Sequence, residues 1–168
     1  MTKNAALSEF FRYNRWANLR LIEDCSRLSE AQLDLRANTA SRSVRELFAH
    51  LVGSQLTFIL RTKGRQHEGE GRVVDPWPGL PTIRELAAAS SDELIAIAAS
   101  LTDEESVDLP YEGKTYRYPR SFFLLHAFEH GMEHRTEIKV TLAQAGVETP
   151  DLDGWFYSEA AGFGREVG

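Results

Sequence analysis

Residues 120–146 read RSFFLLHAFEHGMEHRTEIKVTLAQAG, and this stretch decides the fold. Phe122, Phe123, Leu125, Phe128, Ile138, Leu142 and Ala145 recur at helical spacing, no proline interrupts them, and Gly146 stands where a helix stops. The segment predicts one long helix. His126, His130 and His134 stand four residues apart on it, within ~80° of one another around the axis. Two imidazoles at i and i+4 can reach one metal ion, as in the HExxH pattern. Three cannot, because His126 and His134 are separated by ~12 Å of axial rise while Zn–N bonds are ~2.0–2.1 Å. Spacing alone leaves open which adjacent pair binds, and a third ligand has to come from another element.

The rest of the chain supplies three further amphipathic segments. From Leu7 to Leu28, the residues Phe10, Phe11, Trp16, Leu19, Leu21, Ile22 and Cys25 predict a first helix of about six turns, and Ser29 with Gln32 forms a capping box for a short helical turn. Ser41 or Ser43 can cap a second long helix. Glu46 stands three positions after Ser43, Val44, Leu47, Phe48, Leu51, Val52, Leu56 and Ile59 keep the 3.6 period, and Lys63-Gly64 ends the segment. Residues 64–81 hold four Gly and three Pro and predict a long crossing loop. Thr82 can cap a third long helix through Leu101, with Glu85 at its capping-box position and Leu86, Leu94, Ile97, Ala98 and Leu101 inward. Residues 107–118, rich in Tyr and broken by Glu112-Gly113, predict a small hairpin or extended linker. After Pro150, the aromatic residues Trp155, Phe156, Tyr157 and Phe163 predict a tail that covers the bundle or meets a second subunit. The expected architecture is all-α: one domain over residues 1–168, a four-helix bundle with a long connection between its second and third helices and one small β-hairpin before the fourth.

Composition removes several function classes. The 168 residues carry a formal net charge of −6, with Lys and Arg scattered among carboxylates, so the chain offers no broad basic surface for nucleic acid. No apolar run approaches the ~20 residues of a membrane span, and the N-terminal MTKNAALSEFF has no secretory pattern, so a cytoplasmic location is expected. Cys25 is the only cysteine; it excludes an intrachain disulfide and a Cys-rich zinc site and is expected to be a buried, inert thiol.

Of the five histidines, His67 lies in the Gly-rich loop, whereas His50 falls on the apolar face of the second long helix. If that helix neighbours the fourth, His50 and an i,i+4 pair surround one ion with three neutral nitrogens and leave positions open for water or substrate. The bland alternatives are a core histidine at 50 and a solvated His/Glu face beside Glu129, Glu133 and Glu137. HExxH fails, since Ala127 and Gly131 occupy the Glu position. The inverted HxxEH pattern matches twice, but a metalloprotease needs a further acidic ligand and a cleft from a larger domain. The Glu-x-x-His pattern of di-iron bundles is absent, because Leu47, Phe123, Ala127 and Gly131 stand three residues before the helical histidines.

The segments YNRWANLRLIEDCSRLSEAQL, SVRELFAHLVGSQ and LLHAFEHGMEHRTEI, in this order and at these separations, resemble the DinB/YfiT-like metal-dependent bundle proteins. The resemblance covers most of residues 8–146. It implies His50, His130 and His134 as the metal ligands, which leaves His126 as a pocket residue. It also implies a divalent ion such as zinc or nickel, use of a small thiol in some members, and a homodimer. Where the family often reads HRGQ, this chain has His134-Arg135-Thr136-Glu137; the arginine is kept and Gly-Gln is lost, which separates the metal site from any shared substrate.

The expected function is therefore a metal-dependent, thiol-using transferase or a hydrolase acting on a small molecule. The open position would hold a thiol or water with lowered pKa. Glu133 or Glu129 would serve as base or as partner to an imidazole N–H, and Trp16 with His126 would line the pocket for a thiol cofactor. Three imidazoles suit zinc, nickel, iron and copper alike. The alternatives are a non-catalytic metal-binding or stress-response bundle and a dimeric interaction module.

Overall fold

The computed structural model describes residues 4–66, 74–102, 105–164 and 166–167; His67 and the centre of the Gly-rich loop lie outside them. Four long helices carry the structure. They are α1 (Ala5–Cys25), α3 (Val44–Thr62), α4 (Leu80–Ser100) and α5 (Arg120–Gln144), joined by the short helix α2 (Glu30–Leu33), the hairpin β1 (Ser106–Tyr111) and β2 (Lys114–Pro119), and a final helix α6 (Gly154–Ala161). α1 neighbours α4 and α5, while α3 neighbours the same two, so α1 sits diagonally from α3 and α4 from α5. The long connection between α3 and α4 makes this order possible, and it puts α3 and α5 side by side.

Local chemistry sets most boundaries. Two of the three expected capping boxes form, the one at Thr82–Glu85 being the exception: Ser43 Oγ accepts from the Glu46 N–H while Glu46 accepts from the Ser43 N–H, and Ser29 and Gln32 exchange the same pair of bonds. α3 ends at Lys63-Gly64 and α5 at Ala145-Gly146, with both glycines in the left-handed region. α4 starts earlier than Thr82. Gly79, at φ +89°, turns the chain into the helix, and Pro81 sits in the first turn, where its missing N–H costs nothing, so Thr82 is already helical. The hairpin is antiparallel and turns at Glu112-Gly113, both with positive φ.

Two apolar clusters fill the interior. One joins Leu21, Ile22, Val44, Leu47, Phe48, Leu51, Ile83 and Ile138; the other joins Phe11, Phe58, Leu94, Phe123 and Leu124 at the hairpin end. Cys25 is buried in the first, where loss of hydration pushes its thiol up to about 12, with Asp24 adding to the rise. Four apolar residues expected inside are outside: Phe10, Phe122, Leu125 and Ala145. Phe10 is 56% exposed beside a fully buried Phe11, and Phe122 and Leu125 lie off the stripe of α5 that holds Phe123, Leu124, Ala127, Ile138 and Leu142. The aromatic tail packs in part on its own chain: Tyr157 meets the Tyr13 and Trp16 rings and donates to Glu9, whereas Trp155 stays 81% exposed.

Candidate metal centre

α5 delivers His130 and His134 one turn apart, and α3 delivers His50 opposite them. The His50 ring centroid lies 4.9 Å from that of His130 and 4.8 Å from that of His134, and one ring nitrogen from each of the three falls within 4.8 Å of the others. Among the described residues these three form the cluster suited to a metal ion. The two Nε2 atoms on α5 are 3.2 Å apart. Nitrogens bound to a tetrahedral zinc at ~2.0–2.1 Å are ~3.3 Å apart, so the pair already has ligand spacing.

Tautomer and charge are set by the surroundings. Glu137 Oε2 lies 3.1 Å from His134 Nδ1. A carboxylate only accepts, so the His134 proton belongs on Nδ1 and the lone pair on Nε2. Side chains lean toward the N-terminus of a helix, which is why the glutamate at i+3 reaches back to His134. His130 is held well below the ordinary imidazole range, at about 3, first by burial and then by His134, His50, His126 and Arg42. It therefore stays neutral and able to donate a lone pair to an ion. These donors fit a borderline transition metal, and because all three ligands are neutral the charge of the ion would be left uncompensated.

The remaining expected residues stand outside the cluster. His126 is one turn before His130 with its ring 4.5 Å from that of Phe58, and it stands outside the cluster. Glu129 and Glu133 are exposed, and among the described residues no hydrogen bond joins them to the histidines. Trp16 packs against Tyr13 and Tyr157 on the α1–α6 side. A cavity of about 530 Å³ opens on His50 and is walled by the start of α3 and the segment entering α4, including Arg42, Arg45, Asp75 and Trp77.

On the other side of His134, Arg135 is 3% exposed and donates to Asn14 Oδ1 and Asn18 Oδ1, both at 2.6 Å. Asn18 Nδ2 donates to Gln55, and Gln55 Nε2 to Ser91, so one buried polar chain crosses all four long helices. Burial lowers the guanidinium to about 10, opposed by the Tyr13 ring 5.8 Å away. Gly131 leaves room for it: a Cβ there would stand 2.7 Å from Asn14 Oδ1 and 3.1 Å from Arg135 Nη1.

A profile of the DinB family matches residues 1–166. The chain belongs to the DinB family. This DinB bundle is similar in fold to three solved structures. A DinB-like protein from Bacillus cereus ATCC 10987 has a TM-score of 0.66 at 21% identity, over 90% of this chain and 99% of that one. The DinB-like protein YjoA from Bacillus subtilis has 0.60 at 21%, over 88% and 97%. YfiT from Bacillus subtilis, described as a probable metal-dependent hydrolase with an unusual four-helix bundle topology, has 0.62 at 16%, over 88% and 92%. No curated protein was found to match the chain.

Proposed function

We propose that this DinB protein holds one divalent transition metal, with zinc first and nickel, iron or copper as alternatives, on His50, His130 and His134, and uses it in transfer or hydrolysis on a small molecule. The observation that carries this reading is the convergence of three imidazoles from two helices, with no fourth protein ligand in the cluster among the described residues. When bound, the ion supplies Lewis acidity toward a water or a thiol that takes its open position. Glu137 fixes the tautomer of His134 and raises its basicity. Glu133 or Glu129 takes up the released proton through solvent, and His126 and Phe58 wall the approach to His130.

Cobalt substitution tests the open position. The visible spectrum of the loaded protein should change when a small thiol is added, and a spectrum indifferent to every added ligand contradicts the reading. The ion as a mere staple predicts a different result: chelation would then cost several kcal/mol of folding stability, against a modest melting shift for a catalytic ion in a bundle already packed by its two clusters.

The apolar groove between α1 and α5, lined by Leu7, Phe10, Phe122 and Leu125, supports a homodimer. Sedimentation of wild type beside Leu125→Glu tests it, with a monomeric wild type as the contrary outcome. No helix among the described residues is long and apolar enough to cross a membrane, and the lone, buried Cys25 fits a cytoplasmic location.

A further inference from the structure

The cavity beside the histidines shows what kind of molecule the centre would accept. His50 belongs both to the cluster and to the wall of this space, whose volume of about 530 Å³ suits a small metabolite. Four charged side chains line it: Arg42, Arg45, Glu46 and Asp75. Two are already engaged. Arg45 pairs with Glu30 at 2.9 Å and with Asp34 at 2.7 Å, while Glu46 serves the cap of α3 and pairs with Arg36 at 2.8 Å. Arg42 and Asp75 make no ion pair among the described residues, with each other or with any other group.

We propose that the substrate is a small monocarboxylic acid, with its carboxylate held by Arg42 and its other end at the metal position. This rests on the metal reading above. The four lining charges cancel, and three neutral imidazoles leave the positive charge of the ion intact, so the loaded cavity attracts an anion and opposes a cation. The planar guanidinium of Arg42 adds direction, because it can grip a carboxylate with two parallel hydrogen bonds. Asp75 limits the ligand to one acid group by repelling a second. Trp77, partly buried with Arg45 6.0 Å over its ring, gives the ligand's apolar body a wall.

The test uses the cobalt-loaded full chain and three thiols of similar length: 3-mercaptopropionate, 3-mercaptopropionamide and cysteamine. Affinities are read from the thiolate-to-cobalt absorption, and cobalt content is measured for every sample. The acid should bind about tenfold more tightly than the amide, and the amine most weakly. Arg42→Gln should bring the acid to the affinity of the amide, and Asp75→Asn should tighten the acid. Equal binding of acid and amide, or a preference untouched by Arg42→Gln in fully loaded protein, overturns the acid-binding assignment and leaves the metal reading standing. A loaded protein that admits none of the three overturns both the assignment and the open position. Failure to take up cobalt at all refutes the metal reading, and the assignment falls with it.

Discussion

His134 and Arg135 are consecutive residues of α5, and they serve two different seams of the bundle. His134 turns toward α3 and joins His50 and His130, with one ring nitrogen of each near a common point. Arg135 turns toward α1, where its fixed positive charge meets the amide oxygens of Asn14 and Asn18 and no carboxylate. The first seam gathers three ring nitrogens around a space that an ion could take. In the second, amide dipoles meet the charge through Nη1, while among the described residues Arg135 Nη2 and Asn14 Nδ2 are buried without a hydrogen-bond partner. One helix can therefore present an open site and a closed polar lock back to back, with the lock holding the histidine's backbone against movement.

The largest effect expected within this comparison comes from the lock. Arg135→Ala removes two charge-assisted hydrogen bonds and should cost about 3 kcal/mol or more, since each such bond contributes ~1.5–3 kcal/mol. Arg135→Lys should recover only part of this, because the compact, more strongly hydrated ammonium ends a shorter side chain than the one that carries Nη1, the nitrogen that donates to both oxygens; denaturant unfolding checks both, and an Arg135→Ala chain as stable as wild type would break the comparison. Next comes Gly131→Ala. A methyl group ordinarily favours a helix by up to ~1 kcal/mol, but here it would push into Asn14 and Arg135, so the net change should be a loss of ~1–3 kcal/mol. A stabilised Gly131→Ala variant would show that the lock is loose.

On the open side, Glu137→Gln should weaken metal affinity by about 10–100-fold while leaving stability nearly unchanged. Competition with a metal indicator measures this, and an unaffected affinity would remove Glu137 from the site. The open side also carries a pH dependence. The metal-free fold keeps His130 neutral down to about 3, whereas the unfolded chain protonates it near the ordinary imidazole value of 6.5. Between those limits the unfolded state binds more protons, so stability of the metal-free protein should fall as pH drops below 6.5 and level off near 3. His130→Gln should flatten this slope, whereas Arg135, charged throughout that window, contributes nothing to it.

Local patterns made the open seam readable and left the lock hidden. The i,i+4 histidines, the Ser43–Glu46 and Ser29–Gln32 boxes and the stops at Gly64 and Gly146 depend on residues within a turn of one another, so the letters carry them. Which helix neighbours which does not follow from periodicity, and the resemblance carried that step for His50. Arg135 reads as a solvated cation in an otherwise polar stretch, because its partners Asn14 and Asn18 lie 121 and 117 residues away. The choice of Glu137 over Glu133 was available from the lean of helical side chains toward the N-terminus. Arg42 and Trp77 are far apart in sequence and meet at one cavity only in the folded chain, and Phe10, Phe122 and Leu125 show that apolar letters alone do not assign a side chain to the core.

The most direct measurement is the metal content of tag-free protein purified without chelator, beside His50→Ala and His130→Ala, with folding verified for each by circular dichroism. About one equivalent of a transition metal per chain in the wild type, lost in both folded variants, is the predicted result. A metal-free wild type that cannot be reloaded, or a His50→Ala chain that keeps its full equivalent, would contradict the convergence of α3 and α5 on one ion.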